Sequence, residues 1–238
     1  MGRDVPGEGY LNSSDLSGLA ELRSKIYGFL SSIYVKIPDH DSVKRLIGID
    51  ASSFLADFPL HIGLPREMEA GLKELEGFIR SLKFRPVEDV RRTLSVEGTR
   101  LFRGLKPGYG PPPPYESVYR DAGQAPMNKS VLDVLREYSY AGAGVPVDCN
   151  DPPDHVGVEL DFMRFLTERE AESWEKERPD DALGFIDAER RFLRKHILKW
   201  VPEFCDKVIA MAEFDFYRGI ARMTKGFVSD DYERIRDL

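Results

Sequence analysis

The segment Asp151-Pro152-Pro153-Asp154-His155 holds the residue types and spacing in this chain that come nearest to a chemical site. Two carboxylates and an imidazole stand at what reads as a helix start, and Glu159 falls one turn beyond His155 on the same face. Such a group can accept bidentate hydrogen bonds from an arginine. A plain capping role is the alternative: Asp151 as N-cap, Pro152 at N1 and Asp154 at N3, both acids favoured by the helix dipole. The same dipole predicts a neutral His155, free to accept a hydrogen bond. A second segment, Tyr115-Glu116-Ser117-Val118-Tyr119, offers Tyr115 and Tyr119 as walls of a groove with Glu116 as another anion inside it. Its plain alternative is a turn into a helix whose two tyrosines pack on the core.

Other chemistries lack their residues. Gly104, Gly108 and Gly110 are not followed by Gly-Lys-Ser/Thr, so there is no phosphate loop, and no strand precedes them as a dinucleotide fingerprint requires. His40, His61, His155 and His196 are scattered, no HExxH occurs, and Cys149 and Cys205 have no metal-ligand spacing. Asp154 and His155 are adjacent, but no Gly-x-Ser-x-Gly elbow accompanies them. The expectation is a protein that is not an enzyme and carries neither cofactor nor metal.

The elements that must position these residues are helices. Leu16, Leu19, Leu22, Ile26, Phe29, Leu30 and Ile33 recur at intervals of three and four, as do Met68, Leu72, Leu75, Ile79 and Leu82. Pro38 and Pro86 stop these patterns, and Asp41 caps a shorter one. Asn128 is placed to cap a helix through Tyr138, closed by the glycine turn at 141–144. Residues 151–178 read as one helix with Val156, Leu160, Met163 and Leu166 inward and a charged far side, and the next helix ends at Pro202. Gly104 to Pro114 holds too many prolines and glycines for regular structure and predicts a long loop. With no sustained alternation of period two, the prediction is an all-α, single-domain helical bundle of about eight to ten helices. It spans residues 14–238, after a flexible tail over 1–13.

Charge narrows the partners. The formal net charge of −7 disfavours nucleic acid, which needs a basic face. Neither a signal peptide nor an apolar stretch long enough to span a bilayer is found, which predicts a cytoplasmic protein without stable membrane insertion.

Taken in order, Pro114-Tyr115-Glu116-Ser117-Val118-Tyr119 and Pro153-Asp154-His155-Val156-Gly157-Val158-Glu159-Leu160-Asp161-Phe162-Met163 resemble the TorD/DmsD/NarJ family of chaperones dedicated to molybdoenzymes. Tyr27-Gly28-Phe29-Leu30, Thr99-Arg100-Leu101-Phe102, Phe192-Leu193 and Trp200-Val201-Pro202 support the likeness. The family pattern commonly opens with glutamate where this chain has Asp151, one methylene shorter. The resemblance implies an all-helical cytoplasmic chaperone of anaerobic respiration, in some relatives a homodimer that exchanges helices. Its partner would be the catalytic subunit of a molybdopterin-containing reductase. The chaperone would hold that subunit's twin-arginine leader or N-terminus until the cofactor is inserted. Tyr115, Glu116, Tyr119, Asp151, Asp154, His155 and Glu159 would form the peptide groove. Two other readings stay open: a nucleotide-binding or hydrolysing helical enzyme, and an assembly factor that binds only the mature subunit.

Overall fold

The computed structural model describes residues 12–48, 63–103, 108–120, 129–144 and 151–236. Most of the predicted tail lies outside these, as do residues 104–107 of the predicted loop and the predicted cap at Asn128. Helix α1 (Ser13–Val35) opens on a capping box: Asp15 N–H donates to Asn12 Oδ1 at 3.0 Å and Asn12 N–H to Asp15 Oδ2 at 3.2 Å. Then come α2 (His40–Gly48), α3 (Arg66–Ser81) and α4 (Val87–Phe102), the last two entered from Pro65 and Pro86. The short α5 (Glu116–Arg120) and α6 (Lys129–Tyr140) precede the long α7 (Val156–Glu175). The chain closes with α8 (Pro179–Phe192), a π turn over Leu193–Ile197, α9 (Leu198–Met211) and α10 (Asp215–Ile235).

The fold is all-α, and among the described residues the pairing of extended backbone named between segments is one isolated antiparallel bridge, Tyr115 with His155. Helix α7 packs along α1 on one side and α8 on another, while α3 lies along α10. The α3–α10 crossing is close because glycine permits it: a Cβ on Gly71 would stand 2.5 Å from the Gly219 carbonyl oxygen. No helix among the described residues is long and apolar enough to cross a membrane.

Several expectations need correction, beginning with α2, which is capped not by Asp41 but by Asp39, whose Oδ1 accepts the Ser42 N–H at 2.7 Å. Helix α7 begins at Val156, not at residue 151, and ends at Glu175. Its far side is charged and at least partly exposed, at Asp161, Arg164, Glu168, Arg169 and Glu172, but its buried surface is broader than the predicted apolar stripe and takes in Val158, Glu159, Phe162, Glu170 and Trp174. Pro202 does not end a helix. The π turn resets the hydrogen-bond register just upstream, and α9 runs through the proline to Met211.

Candidate functional site

Two prolines set the local geometry of the first segment. Neither Pro152 nor Pro153 has an N–H to donate, and the chain turns tightly so that His155 N–H reaches the Pro152 carbonyl at 3.0 Å. Helix α7 therefore starts later than residue preference suggests, with His155 as its N-cap. The imidazole Nδ1 accepts the Gly157 N–H at 3.0 Å, satisfying one of the helix's orphan donors. Burial holds the His155 pKa down at about 4, so the ring is neutral, as that bond requires. Asp151 does not cap; its carboxylate meets the Arg103 guanidinium at 3.1 Å.

The second segment docks on the first. Val156 N–H donates to the Pro114 carbonyl and Glu116 N–H to the Asp154 carbonyl, each at 2.9 Å. Asp154, predicted as an N3 residue of its own helix, caps the other one: its Oδ2 accepts the Ser117 N–H at 3.0 Å in the first turn of α5. Tyr115 lies against the His155 ring, centroids 5.5 Å apart. These hydrogen bonds and the ring contact join two motifs that are 37 residues apart in sequence at Ser117 and Asp154.

Glu116 and Glu159 point into the interior, both fully buried. Glu116 is met by the guanidinium of Arg120, one turn along α5, and by His196 Nδ1 at 2.9 Å from the π turn. Glu159 accepts the Trp200 indole N–H at 3.1 Å, while its Oε1 has no hydrogen-bond partner. Burial, reinforced by Glu116 nearby, pushes the Glu159 carboxyl well above the usual range. A neutral acid lessens the cost of leaving that oxygen unpaired.

Of the candidate residues, Glu116, Asp154, His155 and Glu159 are interior, at 1% exposure or less. Tyr115, Tyr119 and Asp151 are half-buried and border solvent. Tyr119 donates to the Pro112 carbonyl at 3.2 Å, and its ring packs 5.4 Å from Trp200, with Lys207 Nζ 5.0 Å above it. Arg120 and His196 are part of the site but were not among the residues singled out from sequence. Arg120 carries a signal, standing four residues after Glu116; His196 carries none until the π turn brings it inward. Among the described residues no cluster of three or more His, Cys, Asp or Glu could hold a metal ion.

The sequence matches one family model and a set of named relatives. The sequence profile described as nitrate reductase delta subunit matches residues 63–206, which include both motif segments. Chaperone protein TorD of Vibrio cholerae serotype O1 (strain ATCC 39315 / El Tor Inaba N16961) is 28% identical over 225 residues, spanning 94% of this chain and 96% of its own. Chaperone protein TorD of Photobacterium profundum is 26% identical over 211 residues, spanning 89% and 93%. That of Vibrio parahaemolyticus serotype O3:K6 (strain RIMD 2210633) is 26% identical over 219 residues, spanning 91% and 96%.

Proposed function

Since the chain belongs to the nitrate reductase delta subunit family, we propose that it is a chaperone, not an enzyme, that binds the N-terminal segment of a molybdopterin-containing reductase's catalytic subunit. It holds that segment, with its twin-arginine leader where there is one, while the cofactor is inserted and before export or membrane docking. The observation that carries the reading is near end-to-end similarity to relatives named as TorD chaperones, together with the junction of the two motifs. The junction supplies what a peptide-binding face needs, a rigid support for a few exposed groups. Tyr115, Tyr119 and Asp151 would touch the peptide. Glu116, Asp154, His155 and Glu159 would act from behind, fixing the backbone from which Tyr115 and Tyr119 project. An extended or helical segment against an aromatic-lined surface is a common mode of peptide capture.

The test is recovery of the tagged full chain from cytoplasm in which such a reductase is being made, with captured proteins identified by mass spectrometry. The expected catch is the catalytic subunit with its N-terminal segment intact. Recovery of the processed subunit alone would move the contact away from that segment, and recovery of no reductase would sink the reading.

A further inference from the structure

Helix α8 passes into α9 through the π turn at Leu193–Ile197, where the Leu198 N–H reaches the carbonyl of Leu193, five residues back. That wider turn brings Arg194 and Lys199, five apart in sequence, onto one side of the helix together with Arg191 and Lys195. The opposite side, with Leu193, His196, Ile197 and Trp200, is buried in the core. Arg194, Lys195 and Lys199 are exposed and Arg191 is half-buried. Arg120 of α5 joins them, its Nη1 bonded to the Lys195 carbonyl at 3.0 Å and its side chain 36% exposed.

The acids that hold some of these cations lie underneath them. Glu137 takes Arg191 at 2.7 Å and Lys195 at 3.2 Å with only 8% of its own side chain exposed, and Glu116 takes Arg120 from full burial. Arg194 and Lys199 make no hydrogen bond or ion pair among the described residues. The first exposed acids along the helices on either side, Asp187 and Glu203, are already taken by Arg190 and Lys207. The patch therefore presents a surplus of positive charge to solvent, in a chain whose formal net charge is −7.

We infer that this basic face on the π turn is a docking surface for a short acidic segment of a partner protein. Arg194 can meet a carboxylate with both arms of its guanidinium, and Lys199 adds a point charge beside it. Charge complementarity selects an acidic occupant, and the acidic remainder of the chain selects a short one. A long polyanion such as nucleic acid, or an anionic lipid surface, would be pressed against that remainder, whereas a few carboxylates meet the patch alone. Arg120 places the patch next to Tyr119. The inference rests on the proposed chaperone function for the partner's identity: the acidic segment belongs to the captured subunit, outside the part held at the tyrosines.

The test is fluorescence anisotropy of a dye-labelled hexaglutamate peptide, titrated with the full chain over a range of salt concentrations. Arg194→Glu with Lys199→Glu breaks no bond of the fold, so the melting temperature is expected to hold. Binding is expected to weaken by about tenfold or more and to lose most of its salt dependence. Lys25→Glu with Lys73→Glu, exposed positions on α1 and α3, makes the same change in net charge and is expected to bind nearly as the wild type does. Equal weakening by the two pairs would leave net charge as the only cause and overturn the patch, as would wild-type affinity in the Arg194–Lys199 pair. Binding of an oligothymidylate but not of hexaglutamate would make this a phosphate-binding face and overturn the acidic segment. A parallel titration with the subunit's N-terminal peptide separates the two readings: no binding there by the wild type sinks the chaperone function, while hexaglutamate decides the patch.

Discussion

Two clusters of buried polar groups hold this bundle together, and they differ in what they leave at the surface. The first is built on Arg23 of α1, which reaches Glu170 of α7 at 2.6 Å, Asp231 of α10 at 2.5 Å and Glu189 of α8. Tyr27 adds a bond to Asp231 at 2.6 Å and Trp174 one to Glu170 at 3.1 Å. The second is the motif junction, where Glu116, Asp154, His155 and Glu159 join α5, α7, the π turn and α9. Each cluster holds more carboxyl groups than cations, and in each burial pushes at least one carboxyl pKa upward: Glu170 and Glu189 in the first, Glu159 in the second. The Arg23 side chain is only 13% exposed and its cluster ends in the core, whereas Arg120 is 36% exposed and its cluster comes to the surface at Tyr115 and Tyr119. Burial of polar groups therefore does not by itself distinguish the proposed peptide face from a lock in the core. An exit to solvent, on backbone that the buried groups hold rigid, is what separates the two.

The cations provide the most forceful way to break that comparison. Arg23→Met leaves three buried carboxyl groups without their counter-charge and is expected to cost about 3–5 kcal/mol, read by chemical denaturation. Arg120→Met, whose own side chain is 36% exposed and whose partner Glu116 keeps the bond from His196, is expected to cost less, about 1.5–3 kcal/mol. Equal costs would erase the distinction between a core lock and a surface-facing one.

Titration sharpens it next. The folded pKa of His155 is about 4 against 6.5 when unfolded, so only the unfolded chain takes up a proton between these values. Stability should therefore fall as pH drops from about 6.5 toward 4, by up to roughly 3 kcal/mol from this residue, and His155→Gln should remove that part of the slope. Glu159 has the opposite sign. Its raised pKa gives stability that is complete below the ordinary glutamate value and is lost as pH rises toward the folded one. In Glu159→Gln the loss of stability above the ordinary glutamate value should flatten, while the opposite slope from His155 stays. Melting curves across pH for the two variants check both signs.

Smaller effects come from single bonds. Glu116→Gln weakens the contact with Arg120 and is expected to cost about 1.5–3 kcal/mol. Asp154→Ala removes the cap on Ser117 at about 1 kcal/mol, while Asp154→Asn, still able to accept that bond, should cost a few tenths. If Asp154→Asn proved as costly as Asp154→Ala, charge rather than capping would be its contribution. Both follow from denaturation midpoints.

Much of this was legible in the sequence because helices announce themselves. The stripes from Leu16 to Ile33 and from Met68 to Leu82, the prolines at 65 and 86 and the turn at 141–144 outline most of the fold. The two motif segments were legible as a pair, and they do meet. What periodicity could not show is the fate of polar residues on α7: Glu159, expected in an open groove, is buried against Trp200, and Glu170 is buried against Trp174 and Arg23. Asp151 was the better cap by residue preference, yet two prolines moved the helix start and gave the place to His155. The α3–α10 crossing turns on Gly71 and Gly219, and single glycines within helical patterns do not reveal what they pack against.

In the proposed function, the face carried by the motif junction captures the N-terminal segment of a reductase subunit. Isothermal titration of the full chain with that segment as a synthetic peptide tests it most directly, using the wild type beside Tyr115→Ala. Saturable binding by the wild type, weakened about tenfold or more in Tyr115→Ala at unchanged helicity, is the predicted result. Binding that Tyr115→Ala leaves intact would contradict the assignment of this face, and no binding by the wild type would contradict the function itself.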